Sequence, residues 1–440
     1  DPAQITKKTT QALLGDPAFM AALAERHFMA KVWGPEKGMG NLNAFAKAGP
    51  KNKEFLRWVM SNGILMDEVL LTRTPSAMFA RKDDSHDLNA GMLENWQQIY
   101  AADPASRQGL YLRLAVACVL RPPGTGNQGA GNAKQQSSVF DRYMYFRKAH
   151  ANKELMPSFD TLTAWELTQV VSAGASNEDL TWGREALNTW NPSFRENENV
   201  VAMTSQVWYR NANGVPYDDM SLVVGAGGKC GPRSSFGVFI NQAFGIPAIG
   251  VAQPAHAAVC WRNPNGDWQI GYGRGWNVSK VADRFNMSGA EFLEVVKERK
   301  TPKFGQIEHL RWLASLIESP TSPYLIPASQ QYAKARATAV MALWQTLPKA
   351  YGKIENTPFG RKADRSAALN SFAAPQSDGD YYFARVRGFV HPPTSGDYVF
   401  AITSDDDSDL FLSTDEDPDN AMFITHVSGW SDPKDFGRKS

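Results

Sequence analysis

The chain of 440 residues has little cysteine: only Cys118, Cys230 and Cys260. An odd number cannot close a fully paired framework, so the fold is not a disulfide scaffold, and the compartment stays open. Net charge is also nearly absent. Lys and Arg number 46 against 45 Asp and Glu, leaving +1, so no global field draws in nucleic acid or an anionic membrane. No apolar run approaches the roughly 20 residues of a membrane span. The N-terminus, Asp1-Pro2-Ala3-Gln4, is not a signal peptide, though it fits the end left after a leader is removed. There is no G-K-[ST] phosphate loop and no H-E-x-x-H zinc helix. Gly124-Thr125-Gly126-Asn127-Gln128-Gly129 matches G-x-G-x-x-G only formally, because no βαβ unit surrounds it.

What is present suits a large globular chain. Hydrophobic residues make up 43%, with 13 Trp and 13 Tyr, and the length predicts two or three domains. Residues 1–194 read as mostly helical. Asp16-Pro17 is a cap and first-turn proline. Leu110–Leu120 is apolar on nearly all sides and reads as a buried helix that Pro122-Pro123 ends. Further helical patterns cover 138–152, 163–172 and 179–189. Between 195 and 287 the texture changes: a helix at 198–211, a second after Cys230, then short strands at 249–251, 256–261 and 268–272. Asn263-Pro264-Asn265-Gly266 forms a turn between the last two. Residues 288–351 return to helix, 352–377 read as a linker, and 378–440 as strands. Tyr398, Phe400 and Ile402 alternate there with Val399, Ala401 and Thr403, as in a strand with one face buried. The fold class is α+β and multidomain.

One constellation carries enough parts for chemistry. Cys230 lies in Gly227-Gly228-Lys229-Cys230-Gly231-Pro232, at the start of a helix. Free N–H groups and the dipole at a helix N-terminus favour a thiolate, and Pro232 fits the first helical position. Phe236, Phe239, Ile240, Ala243 and Phe244 anchor that helix in a core, and Gly245 stops it. His256 follows on a strand and can act as base or ion-pair partner. Cys118 and Cys260 read as core residues.

The helix carrying Gln206-Val207-Trp208-Tyr209, the Gly-Lys-Cys-Gly start, Phe244-Gly245-Ile246-Pro247-Ala248, and His256-Ala257 followed by Gly266-Asp267-Trp268 together resemble the transglutaminase-like, papain-fold superfamily. The resemblance implies that Cys230 is the nucleophile, His256 the base, and Gln206 or Trp208 a neighbour of the oxyanion site. It implies no cofactor at the thiol. The family places an aspartate a few residues after the tryptophan that matches Trp268. Here Gly271 and Tyr272 stand at those positions, leaving Asn277 and Asp267 as candidates for the orienting group. The departure admits a second class, a carbohydrate-active enzyme using His256 and Tyr272 in the same cleft. A third is a non-catalytic glycan-binding surface protein.

In the tail, Tyr381-Tyr382-Phe383, Ser395-Gly396-Asp397-Tyr398, Ser404-Asp405-Asp406-Asp407-Ser408, Leu410-Phe411-Leu412-Ser413 and Val427-Ser428-Gly429-Trp430 resemble the anthrax protective-antigen type of lectin-like β-sandwich. The resemblance covers the first half of such a domain. It implies Ca²⁺ held by an Asp-Asp pair among Asp405, Asp406 and Asp407, and a glycan bridged to the metal. The expected partners are a protein or polysaccharide substrate and a glycan, with no nucleic acid and no membrane span. The expected location is secreted, periplasmic or at the cell surface.

Overall fold

The structure is a computed structural model that describes residues 12–13, 15–31, 39–73, 88–125, 137–210, 220–281 and 287–300, with shorter pieces between 304 and 432. It divides into two compact units, Met20–Gly305 and a second that joins Asp1–Phe19 to Gln306–Ser440.

The first unit begins as a helical assembly: α1 (Pro17–Lys31), α2 (Met39–Lys47), α3 (Pro50–Met60), α4 (Gly63–Arg73), α5 (Ala90–Ala102), α6 (Gly109–Leu120), α7 (Val139–Ala151), α8 (Ala164–Val171), α9 (Asn177–Trp190) and the short α10 (Pro192–Glu196). Local chemistry sets the starts. Ser138 accepts from the Asp141 N–H, and Thr163 with Glu166 and Ser176 with Asp179 form reciprocal capping boxes. Helix α6 has no polar face and is buried from Leu114 to Leu120. Its Cys118 is pushed up to about 12 by burial, against the opposing charge of Arg142.

The expected helix at 198–211 is not formed as such. Residues Val200–Gln206 make a 3₁₀ helix, and the chain then runs extended through Val207 to Arg210. The cause is non-local: Tyr209 bridges to Gly228 in parallel, and the two segments exchange hydrogen bonds. After α11 (Met220–Ala226) comes α12 (Cys230–Ala243), the longest element next to the sheet. Its end is a Schellman motif. The Gly245 N–H donates to the Gln242 carbonyl at 3.0 Å, and the Ile246 N–H to Asn241 at 2.9 Å. Gly245 has φ +76°, and a β-carbon there would meet the Phe159 ring at 2.6 Å, so only glycine fits.

The sheet is antiparallel in the order β3-β2-β1-β4-β5, from β1 (Ala248–Gln253), β2 (His256–Arg262), β3 (Trp268–Gly271), β4 (Lys280–Val281) and β5 (Met287–Ser288). Strands β1 and β2 pair from Ala248↔Trp261 to Gln253↔His256 around a tight Pro254-Ala255 turn. One sheet face packs Val259 and Ala248 with Val201 and Val238 of the α12 side. The other packs Ile249, Val251, Ala258, Cys260 and Trp268 against Trp165 and against Phe292 of α13 (Gly289–Lys300). The chain is therefore α+β, with a mostly helical first part and a helix-flanked antiparallel sheet.

In the second unit the described strands are β6 (Ser408–Leu412) and β7 (Met422–Val427), an antiparallel pair with an irregularity between Leu410 and Phe411. Residues 398–403 are not in a strand, contrary to expectation. The alternation survives in part: Phe400 and Ile402 are half-buried, while Val399 is 98% exposed.

Candidate functional site

Cys230 is the first residue of α12 and is half-buried, whereas Cys118 and Cys260 are fully buried. Pro232 thus stands third rather than first in the helix, a position that still needs no N–H. Lys229 caps the helix through its backbone geometry alone, with no side-chain bond to the first-turn amides. The Cys230 and Gly231 N–H groups therefore have no side-chain cap competing for them, at the positive end of a 14-residue dipole.

Two glycines hold the approach to this end. Gly227 has φ +69°, and a β-carbon there would lie 2.7 Å from both the indole and the carbonyl oxygen of Trp208. A β-carbon on Gly228 would meet Pro232 at 2.5 Å. The Gly228 N–H donates to the Trp208 carbonyl at 3.0 Å, and the Arg210 N–H donates to the Gly228 carbonyl at 3.1 Å. Trp208 is thereby fixed beside the thiol helix with 52% of its surface exposed. Gln206, the other expected cleft residue, is exposed at the end of the 3₁₀ helix.

His256 begins β2, and its level relative to Cys230 follows from two anchors. Arg262, the last residue of β2, donates its N–H to the Pro247 carbonyl just past the end of α12 at 2.9 Å. Midway, Gly237 of α12 faces Val259 of β2. From Gly237 back to Cys230 is about 10 Å of helix, and from Val259 back to His256 about 10 Å of strand. Both residues come to the same end of the helix–sheet pair. Among the described residues no hydrogen bond joins them. The pairing register explains why: Val259 turns toward α12, and His256 shares the parity of Ala258 and Cys260, which face the other way.

The imidazole has a different partner. His256 Nε2 lies 2.7 Å from the Tyr272 carbonyl oxygen. A carbonyl can only accept, so Nε2 carries the proton and, in the neutral ring, Nδ1 is the acceptor. The position where the resemblance expects an aspartate thus supplies a backbone carbonyl as orienting group. Tyr272 has φ +58°, a costly conformation for an aromatic residue. Its hydroxyl donates to the Val201 carbonyl at 3.2 Å. Burial pushes this phenol up, while Thr204 and the Arg233 charge oppose the shift.

The other two candidates do not orient His256. Asp267 is excluded by distance: it sits in the β2–β3 turn at the far end of β2 and pairs with Lys300 at 2.5 Å. Asn277 is exposed in the 3₁₀ turn Trp276–Val278, and its side-chain oxygen lies against Gly275. Cys260 is fully buried in the sheet core, as expected. Arg233 is not among the sequence candidates, although the spacing places it one turn after Cys230 on the same helix face. The Tyr272 conformation has no sequence signal.

Asp405, Asp406 and Asp407 lie outside the described residues. Among the described residues no group of three or more His, Cys, Asp or Glu is placed to hold a metal, and no helix is long and apolar enough to cross a membrane.

Comparison with known proteins finds the PA14 domain family over residues 346–426. That span takes in the segment 352–377 read above as a linker and the strands β6 and β7. No family match supports the transglutaminase-like resemblance at 195–287. No curated protein and no solved structure matches the chain. PA14 domains are carbohydrate-binding-like β-sandwiches and often serve as glycan-binding modules in secreted proteins. The expected glycan partner and extracellular setting agree with it.

Proposed function

We propose that this is a glycan-directed, extracellular protein whose first unit performs thiol-dependent acyl transfer, with Cys230 as nucleophile and His256 as base. The observation that carries the reading is the placement of Cys230, the one cysteine reached by solvent, at the first position of an α-helix with no side-chain cap. Imidazole Nδ1 takes the thiol proton, and the sulfur attacks a carboxamide carbonyl carbon. The Cys230 and Gly231 N–H groups stabilise the oxyanion. Collapse breaks the C–N bond, the leaving amine takes the proton from Nδ1, and a thioester remains. Water or an amine, deprotonated by the same Nδ1, then attacks the thioester and releases the thiol. His256 lies on the sheet face turned away from α12, so the thiol proton reaches Nδ1 through a bridging water rather than a direct bond, and the Tyr272 carbonyl holds the tautomer that the relay needs. The resemblance to the papain-fold superfamily supports the same assignment, and Asp405, Asp406 and Asp407 are proposed as calcium ligands only on the resemblance of the tail to the protective-antigen type of β-sandwich.

The test is the rate of Cys230 alkylation by iodoacetamide against pH, read by peptide mass, with Cys118 and Cys260 as internal controls. At neutral pH Cys230 is expected to react about 10-fold faster in the native protein than in the urea-unfolded chain, and His256→Ala to remove that advantage. A native rate no higher than the unfolded one would remove the nucleophile. A second reading is favoured by the direct His256–Tyr272 contact and the missing Cys230–His256 bond: polysaccharide cleavage by His256 and Tyr272. Under it, Cys230→Ala would keep full depolymerising activity on its glycan.

A further inference from the structure

The end of the unit that carries Cys230 is bordered by exposed aromatic rings and by three cations, Arg210, Lys229 and Arg233. Trp208 is 52%, Tyr209 62% and Tyr272 39% exposed. All three are placed by residues around the N-terminal end of α12. Their placement is fixed by contacts. Trp208 lies on Gly227, Tyr209 bridges Gly228, and Tyr272 is tied to Val201. The Arg210 guanidinium stands 5.9 Å from the centre of a Trp208 ring. Lys229 caps α12, and the Arg233 N–H donates back to the Lys229 carbonyl at 3.3 Å, which puts both side chains on one helix face. The Arg233 charge is felt at the Tyr272 phenol. Among the described residues, none of Arg210, Lys229 and Arg233 has an ion-pair partner, although the whole chain balances to +1.

From this arrangement we propose that the Trp208–Tyr209–Tyr272 border is a subsite for an anionic glycan. Sugar rings present C–H faces that stack on flat aromatic surfaces, while hydroxyls and acidic groups project from the ring edge. A face built of indole and phenol rings interleaved with guanidinium and ammonium groups meets both parts of such a ligand. A neutral glycan would use the rings and leave three cations idle. A protein segment also uses aromatic rings and guanidinium groups, and failure of every saccharide probe to bind would assign the border to one. Charge complementarity therefore selects an acidic polysaccharide, bearing carboxylate or sulfate. The inference deepens the functional reading above by naming the substrate class: the carbonyl or glycosidic bond to be cleaved is carried on an anionic glycan. It is distinct from glycan binding by the PA14 region, whose residues lie elsewhere in the chain.

The experiment uses the full chain as Cys230→Ala, so that thioester formation is absent and the outcome does not depend on thiol chemistry; probe integrity is checked by mass before and after each titration. Binding is titrated by calorimetry with three probes: an oligogalacturonate, its methyl ester, and a sulfated carrageenan oligosaccharide. The expected result is binding of at least one anionic probe, at least 10-fold tighter than the neutral ester and weakened by added salt. Adding Trp208→Ala should weaken it a further 10-fold or more, and Lys229→Gln with Arg233→Gln should reduce both affinity and salt dependence. Oligogalacturonate against carrageenan then separates carboxylate from sulfate recognition. Three results would overturn the proposal: no binding of either anionic probe, equal binding of the neutral ester, or binding untouched by Trp208→Ala. The last would assign the ligand to the PA14 region. Far-ultraviolet circular dichroism of each variant guards against a loss that merely reports unfolding. Tyr209→Ala, at the most exposed of the three rings, provides a second variant whose folding is not at stake.

Discussion

Replacing Asp103 with alanine is expected to destabilise the first unit by about 3 kcal/mol. The carboxylate is 6% exposed and serves three donors. It accepts the Tyr143 hydroxyl at 2.8 Å, Arg147 Nε at 2.6 Å and the Ala105 N–H at 3.1 Å, the last as cap of the 3₁₀ turn Pro104–Arg107. Arg147 is a third exposed and can turn to water, so its loss is modest. The Tyr143 hydroxyl is fully buried and would be stranded, which costs about 1–3 kcal/mol. The lost cap adds about 1 kcal/mol. Urea denaturation of Asp103→Ala and of the double variant with Tyr143→Phe checks the assignment: the second change should return part of the loss, because it removes the stranded hydroxyl.

The same group sets a pH dependence. Burial alone would raise the Asp103 pKa, but hydrogen bonds from Arg147, Tyr143 and the Ala105 amide outweigh it and hold the carboxyl below its usual range. A depressed folded pKa means that the unfolded chain binds the proton first. The stabilisation is therefore complete above the unfolded value of about 3.9 and is lost as pH falls through the lower folded value. Denaturation midpoints between pH 5 and 3 should fall less steeply in Asp103→Ala than in the native chain. An unchanged slope would mean that Asp103 is not the group that titrates.

Much of this architecture is written locally. The caps Ser138, Thr163 and Ser176 and the stop at Gly245 each act within four residues, so the helix ends they set fall close to the sequence expectation. The β1–β2–β3 strands are similarly legible, since alternation and the turn Asn263–Gly266 need no distant partner. Residues 198–211 are the counter-example. Their apolar spacing fits a helix, but Tyr209 and Arg210 are taken by the Gly228 backbone, a partner that local periodicity cannot reveal. The site divides in the same way. The start of a helix at Cys230 and of a strand at His256 can be read from the sequence. Which face of β2 His256 occupies depends on the pairing register with β1, and that one-residue parity separates a formed dyad from two residues at the same level. The sequence offers only side chains as candidates for the orienting group, and the structure places a backbone carbonyl there. Tyr272 supplies it through a left-handed conformation that composition does not encode.

Gly227→Ala should be the most damaging single methyl group that can be added near the thiol. The φ of +69° costs an alanine about 1–2 kcal/mol. Its β-carbon would also lie 2.7 Å from the Trp208 carbonyl oxygen, a backbone atom that cannot swing aside as a side chain does. Relief requires moving the 208–210 segment, which breaks the Gly228–Trp208 and Arg210–Gly228 hydrogen bonds and adds about 1–3 kcal/mol. The sum is about 2–5 kcal/mol in chemical denaturation, accompanied by a change in tryptophan emission as the indole leaves its glycine seat. Gly225→Ala is the matched control. It lies two residues earlier in α11, its β-carbon meets nothing within 4 Å, and its φ is not left-handed. Helix propensity should make that change neutral or stabilising by up to about 1 kcal/mol. If both variants behave alike, Trp208 does not rest on Gly227, and the aromatic border of the thiol site loses its anchor. If they part as expected, Cys230 alkylation in Gly227→Ala tells how far the seat of Trp208 governs the thiol. A changed rate with Cys118 still protected would mean that the 208–210 segment, and not the helix N-terminus alone, shapes access to the nucleophile.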